Sequence, residues 1–279
     1  MKTNTLFGKV TGFVAIALVG LVVSCKDNDR LSGSDATNAT SESLTDSYYD
    51  DSDDMAVNAS DYASTARMAT GYYDYRFCAN PTLSGDTVWL EFNTVSGCID
   101  KRGNVRKGTI RIIHTGGTPR TVGFKATITY LNYSINGIKL EGTRVIECVT
   151  PSANDVYDHT INLTDGKATW LSDGSTATRA ASFTREVNTA DTTITILSGG
   201  QASGINRSGK SYTMDIIKSI VFKPSCAAIN QIHLPVQGTK LFKNTTTGKT
   251  LTIDYGNGDC DRSMTITVGR VSFNYTVNK

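Results

Sequence analysis

Phe124-Lys125-Ala126-Thr127-Ile128-Thr129-Tyr130-Leu131, then Asn136-Gly137, then Lys139-Leu140-Glu141-Gly142-Thr143-Arg144-Val145-Ile146, is the stretch on which the fold turns. Both runs alternate apolar and polar residues and are rich in β-branched and aromatic side chains, the pattern of a half-buried strand. Asn-Gly between them suits a type I′ hairpin, whose two central residues need positive φ. The same alternation recurs in Asp86–Phe92, Gly108–His114, Ser182–Val187, Tyr212–Ile217 and Met264–Val268, with further turn pairs at Asp165-Gly166, Asp173-Gly174 and Ser208-Gly209. No stretch shows sustained apolar spacing of helical period. The expectation is an all-β, antiparallel domain over residues 71–279. It is built of hairpins, as a β-sandwich or as two related sandwich-like halves, 71–190 and 191–279. Leu90–Asp100 and Leu251–Asp261 support the second form: each runs from a strand into a glycine turn, a cysteine and an aspartate.

The phrase Leu251-Thr-Ile-Asp-Tyr-Gly-Asn-Gly-Asp-Cys-Asp261, with Gly142-Thr-Arg144, Ala202–Tyr212 and the Cys98 turn, resembles a recurrent group of β-rich bacterial surface lipoproteins. The likeness covers about residues 86–279 and implies a shared fold and an envelope location, without an activity. Asp254, Asn257, Asp259 and Asp261 supply oxygens of the kind Ca²⁺ takes. Their spacing is not that of an EF-hand, and Asp, Asn and Gly are also what a tight turn selects for its own hydrogen bonds. The turn reading is preferred, and neither metal nor cofactor is assigned.

Cys78, Cys98, Cys148, Cys226 and Cys260 form an odd set for an oxidising compartment. The favoured pairs are Cys226–Cys260, at strand ends in the last hairpin group, and Cys78–Cys98, pinning the domain's start to its first hairpin. Cys148, inside a strand, is then the buried free thiol. No Cys-x-x-Cys pair points to zinc.

The N-terminus supplies the address. Lys2 and Lys9 precede an apolar run, Val10–Val23, and then Val22-Val23-Ser24-Cys25. Charge followed by a short apolar stretch is a secretory signal, and its end looks like the lipobox of bacterial lipoproteins, in which cleavage precedes a diacylated cysteine. Residues 1–24 are read as signal peptide and Cys25 as the lipid acceptor, anchoring the chain to the outer membrane, surface-exposed or facing the periplasm. Lys26-Asp27-Asn28-Asp29 resembles the tag that follows that cysteine in surface-exported lipoproteins. Residues 25–70, Ser/Thr/Asp/Asn-rich and then acidic at Tyr48–Asp54, are expected to be a disordered tether reaching about 35–40 Å.

Charge divides sharply. Residues 26–62 carry ten acids and two bases, a net of −8, and residues 63–279 carry 24 bases and 16 acids, a net of +8. A basic domain suits an anionic partner such as an acidic polysaccharide, whereas nothing resembles a nucleic-acid-binding motif. Catalytic signatures are absent from the sequence: there is no Gly-x-Ser-x-Gly and no His-Glu-x-x-His, and His114, His159 and His233 are scattered. Tyr72, Tyr73, Tyr75 and Phe77 cluster at the domain entrance; Trp89 and Trp170 lie on strands, where packing or sugar stacking would each use them. Asp86-Thr-Val and Asp191-Thr-Thr fit a short O-glycosylation pattern. The function expected is a binding module for an extracellular glycan or partner protein. A structural envelope protein is the alternative, and a hydrolase ranks last.

Overall fold

The computed structural model describes residues 32–64, 78–150, 154–230 and 233–277. The signal peptide, Cys25 and the Tyr72–Phe77 cluster lie outside them. The early strands are β1 (Asn80–Ser84), β2 (Thr87–Phe92), β3 (Cys98–Ile99), β4 (Val105–Thr115), β5 (Lys125–Ile135) and β6 (Ile138–Cys148). In the middle lie β7 (Val156–Trp170), β8 (Thr176–Asn188), β9 (Ile194–Ile196), β10 (Gln201–Ile205) and β11 (Ser211–Phe222). After a short helix come β12 (Gln237–Asn244), β13 (Thr250–Asn257), β14 (Ser263–Val268) and β15 (Val271–Thr276). The long helix α1 (Gly33–Ser64) precedes them all, and the short one, α2, spans Pro224–Asn230.

All pairings are antiparallel, and the strands form one sheet in the order β1-β2-β4-β5-β6-β7-β8-β10-β11-β12-β13-β14-β15. The short β9 and β10 share one slot, each pairing β8 on one side and β11 on the other. This is the all-β, hairpin-built class that the alternation predicts. The ladder is continuous from β8 through β10 to β11, so no sheet edge separates residues 71–190 from 191–279. It is sandwich-like in that arms of one sheet face each other across a filling.

Alternation sets the two faces. In β4, Arg106, Gly108, Ile110 and Ile112 point inward; in β8, Ala177, Arg179, Ala181, Phe183 and Arg185 do. Asn136 and Gly137 have φ of 49° and 78°, closing the β5–β6 hairpin as Asn-Gly predicts. Asp165-Gly166 departs from expectation. It is no hairpin turn but an irregularity inside β7, where the register against β6 shifts opposite Gly142. Gly142 has φ of 116°, and a Cβ there would meet the Gly166 Cα at 2.8 Å, so two backbones approach where a side chain would not fit.

The filling corrects the second expectation. Residues 33–64 are not a disordered tether but a 32-residue helix inside the sheet, buried on nearly every face from Asn38 to Ala56. Ser32 starts it with a capping box: the Asp35 amide donates to Ser32 Oγ at 3.2 Å, and the Ser32 amide donates to Asp35 Oδ2 at 2.8 Å. Hydroxyls that would compete with the helix in water instead donate to its own carbonyls, as Thr40 to Ala36 and Thr45 to Ser41, both at 2.8 Å. A helix so polar becomes buried only because the sheet answers its charges.

Candidate functional site

That answer is an ionic core. Arg144, projecting inward from β6, donates from Nε to Asp53 at 2.6 Å and from Nη2 to Asp50 at 2.7 Å. Arg106 of β4 lies 2.6 Å from Asp51 and 2.7 Å from Asp100, and donates to the Tyr133 hydroxyl at 2.6 Å. Arg179 of β8 bridges Glu42 at 3.0 Å and Asp46 at 2.9 Å, and Lys240 of β12 donates to Asp46 at 2.6 Å. Tyrosines complete the enclosure. Tyr212 donates to Glu42 at 2.8 Å, Tyr49 donates to the Glu141 carbonyl at 2.8 Å, and Tyr255 and Tyr130 share hydrogen bonds with Ser43 and Ser52.

Burial sets the proton affinities of this cluster. It pushes the Glu42 carboxyl up to about 7, against the pull of Arg179, with the neighbouring Asp46 charge adding to the rise. Asp46 feels the same burial, but Arg179 and Lys240 together hold it below the ordinary carboxylate range. Burial, aided by the Arg185 charge, lowers His159 to about 4. His159 lies 2.8 Å from the Pro119 carbonyl and 3.1 Å from Arg185 Nη2, so its neutral tautomer carries the proton on Nε2 and accepts on Nδ1. Carboxylates held by guanidinium groups and closed off from solvent organise the core around α1.

Other predicted positions are placed as follows. Cys78 pairs with Cys98 and Cys226 with Cys260, while Cys148 is free, buried and hydrogen-bonded to the Thr150 carbonyl at 3.2 Å. Burial pushes the Cys148 thiol up, away from reactivity. In the C-terminal turn, Asp254 accepts from the Gly256 amide at 2.8 Å and from Thr239 Oγ1 at 2.8 Å, and Asp261 accepts from the Ser263 amide at 3.0 Å. Asp261 serves the backbone of its own turn, and Asp254 serves both its turn and the neighbouring strand β12. No group of three or more His, Cys, Asp or Glu among the described residues is arranged to hold a metal ion, and Asp254, Asp259 and Asp261 form none. His233 stacks on Phe222 and lies 3.6 Å from Asp54, which lies 3.9 Å from Arg185, the neighbour of His159. Trp89 pairs across the ladder with Arg111, and Trp170 lies under Arg207 at 4.4 Å.

The outer face carries an open depression lined by polar groups. Across β7, β8, β10 and β11 the register aligns Asn162, Ser182, Gln201 and Asp215 in one row, with Ser203 and Thr213 beside it. Ala180, Ser182 and Ser203 are small, so the outer surface sinks there into an open trough of about 560 Å³. Its walls offer amide, hydroxyl and carboxylate groups at strand spacing, in reach of solvent. Sequence reading missed this row, because each member is an ordinary outward strand residue and only pairing brings the four together. Comparison of the chain with protein-family models, curated proteins and solved structures finds no match.

Proposed function

We propose that this chain is a lipid-anchored cell-envelope binding module that presents the β7–β8–β10–β11 trough to an extracellular glycan. The observation that carries the reading is the Asn162–Ser182–Gln201–Asp215 row. Hydroxyl-rich ligands are recognised by convergent polar groups in an open depression, and planar amide and carboxylate side chains bridge neighbouring hydroxyls. The address comes from the sequence: a signal-like leader ending at Cys25, and five further cysteines of which four are bridged. No described helix is long and apolar enough to cross a membrane, a statement that leaves strand-built spans aside. The likeness of Leu251–Asp261 to β-rich surface lipoproteins agrees with this address. The reading is of a binder and not an enzyme.

The test is a glycan array probed with the mature protein, followed by calorimetry on any sugar retained. Gln201→Ala and Asp215→Ala, both on the solvent face, should weaken binding about tenfold or more each while leaving the melting temperature within a degree or two, because surface substitutions cost little stability. Retention of no glycan, or binding that both variants leave intact, would remove the trough from the argument. A packed, ion-paired interior also suits a purely structural envelope component, and the first of those outcomes would favour it.

A further inference from the structure

Ser32 caps α1, and only seven peptide steps separate it from Cys25. Seven steps of ~3.3–3.6 Å span at most ~25 Å, whatever their conformation. Resting on the lipid-anchor reading above, we propose that the end of the shell where α1 begins lies directly against the lipid surface. The lipidated chain is held close, not on a long leash.

The start of α1 is fixed to that end. Asp35 accepts from Lys249 Nζ at 2.6 Å, beside the β12–β13 turn, and Asn38 Oδ1 accepts from the Ser208 amide at 3.2 Å, in the β10–β11 turn. Arg207 ties the β10–β11 turn to the β7–β8 turn through Asp173 at 2.6 Å. Because successive strands alternate direction, the β14–β15 turn emerges at the same end.

This end has the composition of an interfacial surface. Leu171, Ile205, Val271 and Phe273 are 58%, 45%, 43% and 40% exposed, and Lys210 and Arg270 stand exposed beside them. Val271 and Phe273 oppose the buried Val268 and Ile266, so they belong to the sheet's inner, apolar face. They are open because β15 ends the sheet. Beside that strand an open groove of about 440 Å³ runs between Tyr275, Trp170 and the small residues Ala36 and Thr40 of α1. Apolar side chains entering the headgroup region, with lysine and arginine meeting anionic lipid, are the two contributions that hold a surface to a bilayer. The length of the linking chain brings the bilayer within reach of this end.

The test uses the acylated full-length chain in vesicles of phosphatidylethanolamine and phosphatidylglycerol containing a headgroup-attached quencher. A fluorophore is placed on Leu171→Cys or, at the opposite end in the β4–β5 connection, on Val122→Cys; Ile205→Cys replaces the first should it fold poorly. The expected result is several-fold stronger quenching at position 171 than at 122. Equal quenching at both positions, in protein that floats with the vesicles, overturns the orientation and leaves the anchor intact. Protein that takes up no fatty-acid label and does not float overturns both.

Discussion

Arg144 shows what a single inward cation does in this fold. It satisfies Asp50 and Asp53 at once, and its own side chain is only 2% exposed. Arg144→Ala leaves two carboxylates buried without their partner, and breaking a buried pair on one side costs about 3–5 kcal/mol; urea unfolding should show a loss of that order. Glu42 gives a second residue-scale expectation, with a definite sign. Its carboxyl is raised to about 7 in the fold from 4.5, so the native state holds that proton more tightly than the unfolded chain. The associated stability is full below pH 4.5 and is lost as pH rises through about 7. His159 slopes the other way: lowered from 6.5 to about 4, its contribution is full above pH 6.5 and is lost as pH falls through about 4. Glu42→Gln keeps a hydrogen-bonding group beside Arg179 and Tyr212 but removes the first slope. Thermal melts should therefore show the variant losing less stability than wild type between pH 4.5 and 7. An unchanged slope would mean that Glu42 is ionised throughout.

At the scale of the element, α1 is what makes the molecule unusual, and its period is written in acids. Glu42, Asp46, Asp50 and Asp53 follow one another at helical spacing and meet Arg179, Lys240 and Arg144. Leu44, Tyr48 and Met55 occupy another face, too sparse to register as an apolar stripe. A search for apolar periodicity passes over such a helix. Two signals were nonetheless present: Ser32-Gly-Ser-Asp35 is a capping-box sequence, and the acids repeat every three or four residues. Because α1 is enclosed, limited proteolysis should spare residues 33–64, and amide exchange from Asn38 to Ala56 should approach that of the central strands. Rapid cutting after Tyr48 or Tyr49 in the intact protein would return the segment to a tether.

Across the whole molecule, the division of charge acquires a meaning that composition could not supply. The −8 of residues 26–62 and the +8 of residues 63–279 are not a leash and a head exposed to the same solvent. Seven acids of α1 sit against cations projecting from the surrounding strands or their connections. Part of the basic excess that suggested an anionic partner is thus spent inside the shell. This weakens the case for an acidic polysaccharide and leaves the neutral hydroxyl and amide row of the outer trough as the better guide to ligand class. The continuous ladder also means that helix and sheet share one core, in which a change at Arg144 or Arg179 is felt by both.

The sequence by itself marked β2, β4, β5, β6, β8, β11 and β14, because alternation of β-branched and apolar residues is a local property, and Asn136-Gly137 is a local turn; it did not mark β7, inside which it placed a turn. It favoured the two cysteine pairs without deciding between the possible pairings, which the fold settles by bringing Cys78 to Cys98 and Cys226 to Cys260, and its strand reading already marked Cys148 as buried. Only the tertiary structure decided where residues 33–64 go. A polar, acidic segment is disordered in water and helical when buried arginines meet its carboxylates, and those arginines lie from 55 to 137 positions further along the chain, between Arg106's approach to Asp51 and Arg179's to Glu42. The Asp165-Gly166 irregularity and the trough were hidden for the same reason: each is defined by the strand alongside, and pairing between distant residues is what a linear reading does not contain.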